Sequence, residues 1–357
     1  MLALTALLLL IQATQPPLLD RLKGMSEPAA ARAVKADPTG TRSALDTLLT
    51  RVDASVHSDR QRPEQRRVQY DREALGLGTR VGSAFAAATG DRTYVRRFTA
   101  RQQRLNGTEL LNKRRYRQAL VPLAAALRES RALGDTWLEI ITRINIAYAQ
   151  LELGRGPQAL AECQQAAERA SALDVRARAL ALFNLGSIHL HLGNAAASIQ
   201  HSREAVTASR EAGIRLWEGN ALINIGAAHL QTGEIDRSRE TFEQALEVLQ
   251  KTSDRLGQGR VLYNLGLVAV QQQRLEDAAM YMERALPIIR AVDIRHSHEI
   301  ETAPADYQNP VERSALRVLI DAYATLEQKD KEAVHAAALQ RLDARLRSTG
   351  HSHRPPK

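Results

Sequence analysis

The sequence has little cysteine, few aromatic residues and almost no long apolar runs, and each scarcity excludes a class of protein. Its one cysteine, Cys163, has no partner for an intramolecular disulfide and cannot form a cysteine-based zinc site. Aromatic residues make up 4% of the 357 residues, whereas hydrophobic residues make up 44% and include many alanines and leucines. This composition disfavours β-sandwiches and barrels and favours a helical protein with a buried core.

The one long apolar run lies at the beginning of the chain, where residues 1–11 read MLALTALLLLI. This run is about half as long as a membrane-spanning helix needs to be. It is similar to the apolar region of a secretory signal peptide, so we expect residues 1–15 to be a signal peptide and the protein to be exported, periplasmic or extracellular. The alternative is an apolar first helix that packs on the rest of a cytoplasmic protein. No later stretch predicts a transmembrane segment.

The net charge of +9 is confined to the first third of the chain. Residues 16–118 carry 21 basic and 11 acidic side chains, whereas residues 119–357 carry 28 and 29. The basic residues are densest in 92–118, namely Arg92, Arg96, Arg97, Arg101, Arg104, Lys113, Arg114, Arg115 and Arg117. Such a run can attract nucleic acid, anionic lipid or an acidic protein. No nucleic-acid recognition motif accompanies it, so solvated helix faces are the preferred interpretation.

An internal repeat organises most of the remaining chain. Four segments align without gaps, and they are residues 144–160, 183–199, 223–239 and 263–279. Their asparagines recur at intervals of 39, 40 and 40 residues, at Asn145, Asn184, Asn224 and Asn264. Each unit holds two amphipathic stretches with small residues in register, and a glycine such as Gly193 lies between the stretches in three of them. One helix pair cannot bury its own apolar face, so the units must stack.

The register of small residues resembles the tetratricopeptide repeat. The period near 40 residues is similar to the long-repeat subclass found in kinesin light chains and in bacterial sensor and CHAT-protease-associated arrays. The resemblance implies an all-α, right-handed superhelical solenoid of antiparallel helix pairs, with first helices lining a concave groove. Two residues depart from the pattern, because Arg143 occupies a usually apolar position and Gln273 replaces the inter-helix glycine.

The repeats divide the chain into segments. We expect five helix pairs in residues 98–292, preceded by a helical lead-in or cap at 16–97. Within this lead-in, residues 37–40 read as a turn before a helix near 42–57. A loop insertion is expected at 293–309, degenerate C-terminal helices at 310–348, and a disordered tail at 349–357.

The asparagine column is the candidate binding site, because the resemblance places its face in the groove. A carboxamide offers both a donor and an acceptor, so a column of asparagines could hold the backbone of an extended peptide. The other candidate peptide-binding residues are Tyr148, His191, Asn220, Gln231, Arg260, Tyr263 and Gln271. The alternative is that the asparagines bond neighbouring helices.

No motif for catalysis, metal or cofactor binding is present: the sequence has no phosphate-binding glycine loop, no nucleophile elbow and no HExxH. His189 and His229 are predicted to be packed, hydrogen-bonded imidazoles, and Cys163 a buried hydrophobe. The sequence therefore predicts a non-catalytic scaffold or adaptor that binds a protein or peptide, with possible self-association through the solenoid ends. The alternative is a sensory or regulatory module of a bacterial signalling or CHAT-protease system that lacks its output domain.

Overall fold

The computed structural model describes Leu22 and residues 25–58, 64–297 and 309–348, and the regular elements in this part of the chain are all α-helices. The predicted signal peptide and C-terminal tail lie outside the described residues. The helices are α1 Glu27–Ala36, α2 Pro38–Ser58, α3 Glu64–Thr89, α4 Thr93–Asn112, α5 Tyr116–Ala132, α6 Thr136–Glu152, α7 Gly156–Ser171, α8 Val175–His191, α9 Ala195–Glu211, α10 Arg215–Gln231, α11 Ile235–Gln250, α12 Arg255–Gln271, α13 Leu275–Ser297, α14 Asn309–Thr325 and α15 Lys329–Ser348.

The described residues belong to two compact units. The first lies within Met1–Asn106 and Pro122–Leu138, and the second within Gly107–Val121 and Glu139–Lys357. The first unit has an apolar core in which Leu45, Leu75, Phe85 and Phe98 are buried. The asparagine column and its neighbours all belong to the second unit.

Helix α2 begins at Pro38, four residues before the predicted start. Pro38 suits the first position of a helix because its missing N–H would have no intrahelical partner there. The Asp37 side chain accepts a hydrogen bond from the Gly40 amide at 2.8 Å. The stretch predicted as a turn at 37–40 is therefore the capped first turn of the helix.

In the second unit, consecutive helices pack as pairs and successive pairs stack, from α7 through α15. The turn inside each pair needs one residue with positive φ, which glycine adopts without strain. Gly193 has φ 76°, and Gln273 adopts the same conformation with φ 58°. At the Gln273 turn, the backbone amides of Gln273 and Arg274 donate to the carbonyls of Val270 and Ala269. Gln273 therefore preserves the turn, at the cost of backbone strain from its positive φ.

The small residues of the repeat lie where two helices approach closely. A Cβ added to Gly226 would lie 2.8 Å from ring atoms of Phe242, and one added to Gly266 would lie 2.8 Å from Met282. Cys163 is buried in a cluster with Ala147 and Ala159, where burial raises the pKa of its thiol to about 12. It is the small buried hydrophobe that the sequence predicted.

The pair α8 and α9 differs from the two pairs that follow it. The residue that faces Gly186 is Ser202, and a Cβ on Gly186 would lie 2.3 Å from its hydroxyl oxygen and 3.3 Å from its backbone nitrogen. No large side chain fills this contact, so the two backbones themselves approach closely.

Arg143, the second departure from the repeat pattern, is buried in an ion-pair network. Its guanidinium donates to Glu139 one turn earlier at 3.0 and 3.1 Å, and to Glu162 on α7 at 2.6 Å. Arg169 on α7 reaches the other oxygen of Glu139 at 3.3 Å. These partners satisfy the buried charge, so an ionic link between α6 and α7 replaces the usual apolar contact.

Helix α13 continues through the predicted beginning of the loop. It ends at Ser297, so the first five residues of the segment 293–309 are helical. Residues 298–308 lie outside the described part of the chain.

Candidate functional site

The first helices of the pairs form the inner side of the second unit. Helix α8 contacts α10, and α10 contacts α12, whereas in the described residues no comparable contact joins α9 with α11 or α11 with α13. An array whose first helices lie closer together than its second helices curves around the first helices. We define the groove face as the exposed side of α6 from Glu139 onward and of α8, α10 and α12.

The predicted site residues differ widely in exposure on this face. Tyr148 is 44% exposed, whereas Asn220 and Asn224 are only 4% and 2% exposed. The others are exposed, as for His191, Gln231, Arg260 and Gln271, or half-buried, as for Asn145, Asn184, Tyr263 and Asn264.

Two asparagines of the column bond the preceding repeat. The Asn224 carboxamide donates to the carbonyl of Phe183 at 3.4 Å, which joins α10 to α8. The Asn145 carboxamide donates to the Thr108 hydroxyl at 3.0 Å, which joins α6 to the last part of α4. Contacts between helices therefore account for part of the column, as the alternative interpretation holds.

The other two asparagines make no hydrogen bond to a neighbouring helix within the described residues. Asn184 donates to the carbonyl of Leu180 at 2.8 Å, one turn earlier in its own helix. Asn264 is half-buried, and its carboxamide makes no hydrogen bond with the residues that the structure describes. Further along the face, Gln231 donates to the carbonyl of Leu190 at 3.2 Å and repeats the link between α10 and α8.

Asn220 and Tyr263 use their side chains in hydrogen bonds within the fold. The Asn220 carboxamide donates to Leu216 at 2.8 Å and to the buried carboxylate of Asp254 at 3.2 Å. Asp254 in turn caps α12 by accepting from the Gly257 amide at 3.1 Å. The Tyr263 hydroxyl donates to Ser314 on α14 at 2.9 Å. These polar groups are occupied within the array.

Tyr148 is the most exposed aromatic group on the groove face. Its ring stands edge-on to Tyr116, with centroids 6.1 Å apart and 81° between the ring planes. Burial raises the pKa of Tyr116, and the charge of Glu152 raises it further. The phenol of Tyr116 therefore stays neutral near pH 7.

A polar cluster between α8 and α9 was not predicted from the sequence. His189 and His201 stack with centroids 5.3 Å apart and 18° between ring planes. Their Nδ1 atoms and the hydroxyls of Ser198 and Ser202 are buried without a hydrogen-bond partner among the described residues. His189 is thus packed as predicted but lacks the expected hydrogen bond at Nδ1. Burial lowers the pKa of His189, and the charge of His201 lowers it further. The signal in the sequence was a serine where the next repeat has Phe242.

Some of the cations in the basic run 92–118 form ion pairs with acidic residues of the fold. In the first unit, Arg101 is 3% exposed and donates to Asp53 at 2.8 Å and to Asp135 at 2.8 Å. Burial lowers the pKa of Arg101, but the hydrogen bonds and charges of both carboxylates outweigh this effect and raise it. Arg96 similarly pairs with Glu129 at 2.9 Å. These arginines of the run therefore stabilise the first unit.

The described part of the chain has neither a membrane-spanning helix nor a metal-binding cluster. None of the helices in the described ranges combines the length and apolarity that crossing a bilayer requires. Within the same ranges, no three histidine, cysteine, aspartate or glutamate side chains come together as a metal site would need.

Comparison with known proteins identifies the repeat. Residues 144–213 and residues 217–291 each match a family model described as tetratricopeptide repeat. No curated protein sequence matches the chain.

Solved structures extend the likeness to most of the chain. BtubC (BKLC) from P. vanneervenii is 18% identical, with a TM-score of 0.55 over 68% of this chain and 95% of that one. A Rap protein complexed with competence and sporulation factor is 10% identical, with a TM-score of 0.55 over 86% and 99%. A STAND protein with a tetratricopeptide repeat sensor from Pyrococcus horikoshii is 16% identical, with a TM-score of 0.57 over 93% and 52%. Such low identities show the fold alone, and they confirm the predicted all-α superhelical solenoid of antiparallel helix pairs.

Proposed function

Because the chain is a tetratricopeptide repeat protein, we propose that it is a scaffold or adaptor that binds a protein or an extended peptide along its groove face. Proteins with this repeat generally bind protein or peptide partners and are generally not catalytic. The proposal needs no cofactor and no metal.

The observation that carries the proposal is the unused hydrogen-bonding capacity of Asn145, Asn184 and Asn264. A carboxamide has two N–H donors and an oxygen that accepts twice. Asn145 and Asn184 each use one donor, and Asn264 uses none with the described residues. All three are half-buried on the groove face, so their oxygens could accept from the amides of an extended chain. Asn224 has the opposite role, because at 2% exposure it orders the neighbouring helices.

Specificity in this proposal comes from the exposed side chains around the three asparagines. Tyr148 offers an aromatic surface at one end of the face, and Arg260 offers a charge at the other. His191 and Gln271 follow the asparagines at the ends of α8 and α12, where side chains of a partner could contact them. Buried aromatic and arginine contacts commonly dominate the binding energy of interfaces.

The structural neighbours support a binding role without naming the partner. The Rap protein was solved complexed with competence and sporulation factor, so a solenoid of this kind can hold a ligand. The Pyrococcus horikoshii neighbour has a tetratricopeptide repeat sensor, but its 16% identity does not favour a sensory role for this chain.

The experiment is an affinity capture with three immobilised proteins. These are the wild type, the groove variant Asn145→Ala/Asn184→Ala/Asn264→Ala, and a control variant with three exposed amides of the second helices replaced, Gln158→Ala/Gln164→Ala/Gln244→Ala. Envelope and extracellular extracts are applied, and bound proteins are identified by mass spectrometry and titrated as purified proteins.

The expected result is a partner bound by the wild type and the control variant and lost by a groove variant with unchanged circular dichroism. Equal binding by all three proteins would place the site elsewhere. Loss of helical signal in the groove variant would make the column structural.

Export of the protein is a separate proposal that rests on the apolar residues 1–11. Fusion of residues 1–30 to a phosphatase that is active only outside the cytoplasm tests it. Activity of the fusion supports export, and an inactive fusion favours the cytoplasmic alternative. Self-association through the solenoid ends also stays a proposal, which sedimentation velocity tests.

A further inference from the structure

Four exposed cations of the basic run make no ion pair with the residues that the structure describes, namely Arg92 in the first unit and three cations close together in the second. Lys113, Arg115 and Arg117 are exposed, and none of them makes an ion pair with the residues that the structure describes. They lie within five consecutive residues at the turn between α4 and α5, so their Cα atoms span at most about 15 Å. We call these three residues the basic turn.

The backbone of the basic turn is ordered by hydrogen bonds. Arg114 has φ 56°, at the position where three of the later repeats carry glycine. The amides of Arg114 and Arg115 donate to the carbonyls of Leu111 and Leu110 at 2.9 and 2.8 Å. The three cations are therefore presented from a closed turn, which lowers the entropy lost when they bind an anion.

The basic turn borders the groove face. Tyr116, which lies between Arg115 and Arg117, stands edge-on to Tyr148 on α6, with ring centroids 6.1 Å apart. Tyr148 is 44% exposed and belongs to the groove face. A chain that crosses Tyr148 therefore reaches the three cations within a few residues.

We propose that the basic turn receives an acidic segment of the partner protein, and that the residues next to this segment enter the groove beside Tyr148. The inference rests on the proposed function, and it assigns an acidic character to one segment of the ligand and places that segment at the end of the groove face near Tyr148. Carboxylates complement the three cations, and such exposed charges steer association and fix orientation.

A nucleic acid fits these observations less well. DNA-binding proteins can neutralise many phosphates, on the order of 6–10 in one complex, and this electrostatic contribution supplies most of their sequence-independent affinity. The basic turn supplies three cations on a short span, and Arg96 and Arg101 of the same run are already paired with acidic residues. The open charge therefore suits a short acidic stretch better than a long phosphate backbone.

The experiment measures fluorescence anisotropy of a fluorescein-labelled octaglutamate peptide at 150 mM salt. The test variant is Lys113→Ala/Arg115→Ala/Arg117→Ala. The control variant, Arg203→Ala/Arg284→Ala/Arg317→Ala, removes three exposed cations from the same unit and thus the same net charge. Lys113→Arg/Arg115→Lys/Arg117→Lys keeps the charges of the turn and serves as the conservative variant.

We expect the wild type to bind the peptide and the test variant to bind it about tenfold or more weakly, since each exposed ion pair contributes up to about fivefold. The conservative variant should stay within about twofold because it keeps the three charges of the turn. The control variant should also stay within about twofold, because its cations lie on α9, α13 and α14 and charges beyond about 8 Å are screened at this salt concentration. The groove variant with three asparagines replaced should keep octaglutamate binding. That result separates failure of the asparagine column from failure of the basic turn.

Three results would overturn the inference. The wild type could fail to bind octaglutamate saturably, or the control variant could lose as much affinity as the test variant. An unlabelled single-stranded octathymidylate could also displace the peptide at lower concentration than octaglutamate does, which would make the turn a nucleic-acid contact. Circular dichroism of every variant verifies that the helices are intact.

Discussion

The contact between Gly226 and Phe242 gives the sharpest test of how the helix pairs close. A Cβ on Gly226 would lie 2.8 Å from two ring carbons of Phe242, which is fully buried. Nonbonded carbon atoms prefer about 3.5–4.0 Å, so the ring or the helix would have to move by about 0.7 Å. Overpacking of this kind costs about 1–3 kcal/mol in free energy of unfolding.

Helix propensity acts in the opposite direction. Alanine is favoured over glycine inside a helix by about 0.8–1.0 kcal/mol, so Gly226→Ala should lower the free energy of unfolding by up to about 2 kcal/mol. In a Phe242→Leu background the ring is gone, and the same change should raise stability by up to about 1 kcal/mol. The double-mutant cycle thus predicts a coupling energy of about 1–3 kcal/mol between the two positions.

The assay is urea denaturation followed by circular dichroism at 222 nm on the wild type, both single variants and the double variant. Gly76 on α3 supplies a propensity control, because a Cβ there would meet nothing within 4 Å. Gly76→Ala should therefore be neutral or stabilising. An equal effect of Gly226→Ala in both backgrounds would refute the steric account of the small residues.

Three further predictions concern the turns, the asparagines and the histidine pair. Gln273→Gly should raise stability by about 0.5–1 kcal/mol because it relieves positive φ, and Gly233→Gln should lower it by a similar amount, both read from urea midpoints. If the two substitutions change stability in the same direction, the positive φ of these turns does not explain their effect. Asn224→Ala should cost about 1 kcal/mol because it removes a bond between helices, whereas Asn264→Ala should cost little, and equal losses in denaturation would contradict this assignment. The lowered pKa of His189 means that the folded state resists protonation, so stability is full above the unfolded pKa of about 6.5 and is lost as the pH falls from there towards the lowered pKa. The melting temperature should fall less between pH 7.5 and 5 in His189→Gln than in the wild type. If the melting temperatures of both proteins fall equally, protonation of His189 is not the cause of the loss of stability.

The sequence was most informative where one residue type repeats for a steric reason. The interval of the small residues and of Gly193 and Gly233 predicted helix pairs, their turns and their stacking. A side chain at Gly226 would collide with Phe242 on the facing helix, so the glycine in the sequence is itself an indication of the close contact. Helix boundaries were less predictable. Asp37-Pro38 fits both a turn and a capped helix, and the backbone hydrogen bond from the Thr41 amide to the Asp37 carbonyl shows that the helix continues.

The candidate site was predicted only in outline, because exposure on the groove face depends on how consecutive pairs stack. Asn224 and Asn264 occupy the same repeat position, yet only Asn224 is buried against its neighbour. Pairing of charges is equally invisible to a periodic pattern. Arg101 looks like its neighbours in the sequence, but Asp53 and Asp135 lie far from it along the chain and close to it in the fold.

The contact between Gly186 and Ser202 has a consequence for local opening of the helices α8 and α9. In a linear array, stability is a sum of terms from each repeat and from each interface between neighbours. Phe242 and Met282 supply buried apolar atoms at the position where Ser202 supplies a hydroxyl with no hydrogen-bond partner in the described residues. The pair α8 and α9 therefore lacks the buried apolar side chain that the next two pairs have at this position, and we expect amide hydrogen exchange to be faster in α8 and α9 than in α10 and α11. The pairs on either side of this contact would then keep their exchange protection while α8 and α9 open locally.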